Sequence, residues 1–216
     1  YQTVQLLLDR GAAIEASNRW GRTALMEACN TPCVRLLLNR GAVIETRDDG
    51  GRTALMLAVR QRRENIVKEL LSRGAAVHAR DNKGRTALLF ISPYIPSKSR
   101  AYRILRRFID SGASIDERNN SGRSLLMEAA KNGLIDISSI NALLCLGADI
   151  EARDNEGRTA LMYAARYYRH GALRKLLDGG AALEAKDSLG KTALMHAAQR
   201  YGSDVLLELL DRNVAI

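Results

Sequence analysis

Apolar residues along this chain alternate between two textures. Alanine-rich runs, such as Leu161, Ala164, Ala165 and Leu194, Ala197, Ala198, put small side chains at i, i+3 and i+4, the spacing of one helix face. Bulkier runs follow, as in Ile66, Val67, Leu70 and Leu71, with the same helical period. A polar stretch separates each bulky run from the next alanine-rich one. Glu151-Ala152-Arg153-Asp154-Asn155-Glu156-Gly157 is representative, and its Asp-Asn and Gly predict a hairpin-like finger. The pattern therefore predicts pairs of helices, an alanine-lined helix A and a leucine-lined helix B, with a finger between pairs. Small side chains on one helix and large ones on the other make each pair a wedge, so the stack is expected to curve with helix A on its concave side.

The repetition is explicit. Gly21-Arg22-Thr23-Ala24-Leu25-Met26 returns as near-copies opening at Gly51, Gly84, Gly122, Gly157 and Gly190, at intervals of 30, 33, 38, 35 and 33 residues. A fixed period in this range marks a stacked repeat array, which builds extended binding surfaces. Thr23, Thr53, Thr86, Thr159 and Thr192 are expected to cap the N-termini of the A helices. Each helix B ends in Gly-Ala, with Gly11, Gly41, Gly74, Gly112, Gly147 and Gly180 at the position where a left-handed residue closes a helix, and Asn213 in that slot at the end. Arg10, Arg40, Arg73 and Arg212 precede the cap, where a cation suits the helix dipole.

In register, Gly147-Ala148-Asp149-Ile150-Glu151-Ala152-Arg153-Asp154-Asn155-Glu156-Gly157-Arg158-Thr159-Ala160-Leu161-Met162-Tyr163-Ala164-Ala165 resembles the ankyrin repeat, and six registered copies extend the resemblance over essentially the whole chain. It implies an all-α solenoid of helix-turn-helix units with projecting fingers, working as a protein-binding scaffold. The family's usual Thr-Pro-Leu-His reads Thr-Ala-Leu-Met here. Its usual Asn at the finger base is Glu15, Glu45, His78, Asp116, Glu151 and Glu184. Residues 1–216 divide into units at about 1–17 (partial), 18–47, 48–80, 81–118, 119–153, 154–186 and 187–216 (partial). The chain opens inside a helix B and stops after another, without polar capping units, and so is expected to be a piece of a longer array.

Two units depart from the period. Residues 90–100 carry Pro93, Pro96 and five extra residues where helix A should turn into helix B. Pro93 should end that helix early, making the segment either a tolerated loop insertion or a kink in the array. The 30-residue first full unit has a shortened A–B loop around Thr31-Pro32.

Candidate chemistry is sparse. Gly190-Lys191-Thr192 has the ending of a phosphate-binding loop, but the first glycine of that motif falls on Ala185, so it is read as part of the repeat. His78, His170 and His196 sit in different repeats without ligand spacing to a cysteine pair, and Cys29 and Cys33 have no second pair. No enzyme, metal or cofactor is expected. Cys29, Cys33 and Cys145 form no disulfide framework, and Cys29 falls on an apolar stripe where burial is expected. No run approaches 18 apolar residues, so no transmembrane segment is expected. The expected setting is cytoplasmic, with the nucleus also open, and the expected state monomeric.

Repetition within one chain separates residues that serve the unit from residues free to serve a partner. Arg22, Arg52, Arg85, Arg123, Arg158 and Lys191 form one nearly invariant column, and Arg47, Arg80, Arg118, Arg153 and Lys186 another. These columns either support the fingers as a charge ladder or form a basic stripe for an acidic partner. The variable positions of helix A are Leu57, Arg60 and Gln61; Glu128, Lys131 and Asn132; Tyr163, Arg166 and Tyr167; His196, Gln199 and Arg200. Within each set they share a face about 200° from the alanine stripe, which predicts exposure. Tyr and Arg most often anchor interfaces. The candidate partner contacts are therefore Trp20 at a finger tip, Leu57, Arg60, Phe90, Lys131, Tyr163, Arg166, Tyr167, His196 and Arg200. Trp20 either anchors a partner or packs against an upstream finger. The net charge of +9 suits a protein with an acidic patch. Nucleic acid or an anionic lipid surface is the alternative, drawn by the clusters Arg60, Arg62, Arg63 and Lys98, Arg100, Arg103, Arg106, Arg107. Only 5% of residues are aromatic, too few for a base-stacking platform.

Overall fold

The computed structural model describes residues 1–91, 98–132, 137–199, 205, 208 and 209. Arg200, Arg212, Asn213 and the proline insertion at 92–97 lie outside the described residues. Contacts group the chain into two units, Tyr1–Ile91 and Ser92–Ile216. The first holds α1 (Gln2–Asp9), α2 (Ala24–Glu27), α3 (Thr31–Asn39), α4 (Ala54–Arg60), α5 (Glu64–Ser72) and a 3₁₀ helix over Ala87–Phe90. The second holds α6 (Lys98–Asp110), α7 (Leu125–Lys131), α8 (Ile137–Cys145), α9 (Ala160–Arg166), α10 (His170–Asp178) and α11 (Ala193–Ala198).

Each unit is two rows of helices. In the first, α4 packs between α2 and the 3₁₀ helix, while α3 packs on α5 behind them. In the second, α9 lies between α7 and α11 in the A row, and α8 between α6 and α10 in the B row. Among the described residues there is no strand, only an isolated bridge between Arg118 and Ser124. The A helices are short because they sit inside the layer: every residue from Ala54 to Val59 and from Ala160 to Ala165 is buried. From α3 onward the B helices bury one stripe, as with Leu105 and Phe108 in α6 or Leu173 and Leu176 in α10, whereas α1 has no buried residue.

Element ends follow local chemistry. Gly147 has φ +86°, and the N–H of Ala148 reaches back to the Leu143 carbonyl at 3.0 Å, the bond that closes a helix through a left-handed residue. The other five Gly-Ala pairs repeat it. Thr23, Thr53, Thr86, Thr159 and Thr192 all stand at the N-cap, but the hydroxyl receives a backbone N–H only at Thr53 and Thr192, as it does at Ser124. Arg40 and Arg73 turn away from the helix end to pair with Asp9 and Glu69.

The third helix A ends early, as expected, and does so as a 3₁₀ turn closing at Phe90. One expectation needs correction. Cys29 is exposed, because α2 stops at Glu27 and leaves it in the shortened loop. Asn30 then caps α3, taking the Cys33 N–H on its side chain at 2.9 Å.

Candidate partner-binding surface

The fingers are built on one column, Asn18, Asp48, Asp81, Asn119, Asp154 and Asp187. In all six the Oδ1 oxygen accepts the backbone N–H groups two and four residues on, at 2.8–3.1 Å. A backbone pair closes each loop, as when Asp48 N–H donates to Arg52 O and Gly51 N–H to Asp48 O. This is an Asx turn finished by a glycine at positive φ. Gly51 has a second constraint: a Cβ there would lie 2.9 Å from the backbone nitrogen of Asn82 in the next finger. That closeness lets adjacent tips join, Asn82 N–H to Gly50 O at 3.0 Å and Ser188 N–H to Glu156 O at 2.9 Å.

Both arginine columns are engaged within the array. Arg52, Arg85 and Arg158 fold back onto the carboxylate of the Asp four residues earlier, at 2.9, 2.6 and 2.9 Å. Arg123 pairs with Glu128, and Arg22 with Glu27 and Asp48. The second column ties one finger to the next. Arg118 donates to the Arg153 carbonyl at 2.6 Å, Arg153 to the Lys186 carbonyl at 2.6 Å, and Arg47 to the Arg80 carbonyl. The acidic finger bases do likewise: Glu15, Glu45, Asp116 and Glu151 accept the backbone N–H of Val43, Ala76, Asp149 and Ala182 in the following repeat.

Burial opposes ionisation of Asp48 and Asp154, but their hydrogen bonds outweigh it and hold both carboxyls below the usual range. For Asp48 the donors are the Arg52 side chain and the N–H groups of Arg52 and Gly50; for Asp154 they are the Tyr163 hydroxyl and Arg158. Asp187 is lowered against its own burial by the Lys191 N–H, His196 and the Leu189 N–H. Burial and the Asp154 carboxylate push the Tyr163 phenol up.

This packing corrects part of the expected exposed face. Leu57, Phe90, Tyr163 and His196 are buried, because each lies nine residues after the Asx position and the finger of its own repeat folds over it. The Tyr163 hydroxyl donates to Asp154 at 2.7 Å, and His196 Nε2 meets Asp187 at 2.8 Å. The Arg85 guanidinium covers the Phe90 ring at 4.2 Å. The remaining described candidates are accessible. Trp20 is half exposed, with the Arg19 guanidinium 4.2 Å from its ring centroid. Arg60 is exposed in the first unit, and Lys131, Arg166 and Tyr167 are half-buried in the second. The structure brings two of them together: Lys131 Nζ is 5.8 Å from the Tyr167 ring, which stacks on Tyr163 at 6.4 Å.

Two residues that sequence reasoning placed in a basic cluster, or passed over, prove to be struts. Arg63 donates to the Ala28 carbonyl and Arg169 to the Lys131 carbonyl, each reaching the end of the preceding helix A. The residue before each, Arg62 and Tyr168, has φ +60° and +54°, a conformation that costs a non-glycine residue and aims its successor backwards. Their only signal in the sequence is the shared register of Arg63 and Arg169.

Among the described residues no cluster of His, Cys, Asp or Glu could hold a metal ion, and no helix is long and apolar enough to cross a membrane. A family model described as ankyrin repeats (3 copies) matches residues 1–81, 94–187 and 126–216. No curated protein matches the chain.

Proposed function

Since this chain belongs to the ankyrin-repeat family, whose members generally mediate protein–protein interaction, we propose that it binds an acidic segment of another protein through the turns that follow its A helices. The observation that carries this reading is the contrast between columns. The repeated arginines and carboxylates spend their hydrogen bonds inside the array, whereas Lys131, Arg166 and Tyr167 vary between repeats and stay accessible. In the second unit Lys131 lies over the Tyr167 ring, and Arg166 precedes that tyrosine in the chain, a pairing of cation and aromatic common at interface anchors. Arg60 with Gln61, and Trp20 at its finger tip, offer similar contacts in the first unit.

The test is selection of peptides from a random display library on the purified chain, followed by titration of the enriched peptides against Arg166→Ala/Tyr167→Ala. Acid-rich peptides should emerge and lose on the order of thirtyfold in affinity for the variant, the effect of truncating a central Tyr or Arg. Peptides that bind the variant as well as the parent would remove this surface from consideration.

A further inference from the structure

Outer helices elsewhere among the described residues pair most of their arginines with carboxylates. Arg35 and Arg73 share Glu69 at 2.8 and 3.2 Å, Arg40 pairs with Asp9 at 2.6 Å, and Arg174 pairs with Glu208 at 2.9 Å. Helix α6 departs from this rule. Tyr102, Arg103, Arg106 and Arg107 are exposed on it, while Leu105 and Phe108 hold its other side in the core. Counting back from the cap glycines, Arg107 occupies the position held by Glu69 in α5. Arg106 pairs with Asp110 of its own helix at 2.9 Å, and among the described residues no carboxylate pairs with Arg103 or Arg107. The neighbouring helix α8, Ile-Ser-Ser-Ile-Asn-Ala-Leu-Leu-Cys, has no charged residue to offer. In sequence, Lys98 and Arg100 add two more cations to α6.

We propose that the outer face of α6, flanked by α8, docks on the surface of an anionic membrane, a site separate from the peptide-binding turns. Arginine guanidinium groups match phosphate oxygens in charge and geometry, and a group of four to eight cations on one helix suits an anionic lipid layer. Two observations favour a lipid surface over nucleic acid or an acidic protein. Helix α8 beside α6 carries no charged residue and ends in exposed Cys145, so it meets the headgroup layer without stripping water from an ion. Among the described residues the patch also holds a single aromatic residue, Tyr102, 39% exposed; one phenol suits a membrane interface, while stacking a strand of bases takes several rings. The apolar side of α6 is committed to the core, so docking is superficial and sensitive to salt.

Co-sedimentation of the intact chain with phosphatidylcholine vesicles, with and without phosphatidylserine, tests this. The variants are Arg103→Glu/Arg107→Glu and a charge-matched control, Lys68→Glu/Lys83→Glu, at exposed positions of the first unit. The chain should pellet with the serine-containing vesicles only. The α6 variant should lose tenfold or more in partitioning, while the control stays within about threefold of the parent. If charge reversal prevents folding, as judged by circular dichroism, Arg103→Gln/Arg107→Gln serves with a smaller expected loss. The proposal is overturned if anionic vesicles fail to pellet the chain, or if both variants lose equally, which would mark net charge alone as the cause. It is overturned too if a single-stranded oligonucleotide or polyglutamate binds in an α6-dependent way while vesicles do not.

Discussion

At the scale of single residues, Asp154, which opens the fifth finger, does three jobs at once. Asp154 accepts two backbone N–H groups on one oxygen, while the other takes Arg158 and the Tyr163 hydroxyl. Asn18 and Asn119 show that the turn itself needs only the first oxygen. Asp154→Asn should therefore keep the finger but weaken the bonds to Arg158 and Tyr163, at a cost of about 1–3 kcal/mol for hydrogen bonds to a charged group. The pH dependence follows from the direction of the shift. The folded-state pKa of Asp154 is lowered, so its contribution is complete above the unfolded carboxylate value near 3.9 and is lost as pH falls through the lower folded value. Asp48 and Asp187 behave alike. Urea titrations between pH 6 and pH 2 should show a stability plateau down to about pH 4 and a decline below it. The decline should be shallower for Asp154→Asn. An identical acid limb in parent and variant would show that this carboxylate is not coupled to folding.

At the scale of the element, helix A shows how far periodicity carries. The 3.6-residue period placed Leu161, Ala164 and Ala165 correctly in the core and put Arg166 and Tyr167 at the accessible end. It misjudged Tyr163, Leu57 and His196 because a helical wheel treats the helix as if one side met water. In the array a seven-residue helix is enclosed by its neighbours in the A row, its own helix B and its own finger. The same sequence held the information that the finger covers the helix: the Asx column always precedes the variable position by nine residues, and Tyr, His or Glu stands there where a hydrogen bond can form. The Gly-Ala ends, the Thr-Ala-Leu-Met starts and the period were legible because each is a local chemical requirement repeated six times. The struts Arg63 and Arg169 were not, since their partners are backbone carbonyls one repeat away. Two substitutions separate the roles. Tyr163→Ala should destabilise the second unit by about 3–5 kcal/mol, the usual cost of truncating a buried aromatic. Tyr167→Ala, half-buried at the helix end, should leave thermal melting close to the parent. Equal losses in melting temperature would place both side chains in the core.

At the scale of the whole molecule, behaviour depends on which repeats share stability. A repeat touches its neighbours and nothing further, so cooperativity passes along the array only through successive interfaces. Fingers that bond tip to tip and arginines that bond to the next finger's carbonyls strengthen those interfaces within Tyr1–Ile91 and within Ser92–Ile216. The boundary between the two units falls where the third helix A is reduced to four residues of 3₁₀ helix and the sequence enters Pro93 and Pro96. The chain should accordingly unfold in two steps. Leu55→Ala, at a fully buried site of the first unit, and Leu126→Ala, at one of the second, each cost about 2–5 kcal/mol. In a two-step molecule each variant should lower the midpoint of one transition in a urea titration and leave the other in place. Hydrogen exchange supplies the complementary readout, with residues of α4 slowed or quickened independently of residues of α9. If either leucine variant shifts a single transition that all amides share, the array folds as one cooperative block, and the proline insertion carries no energetic consequence.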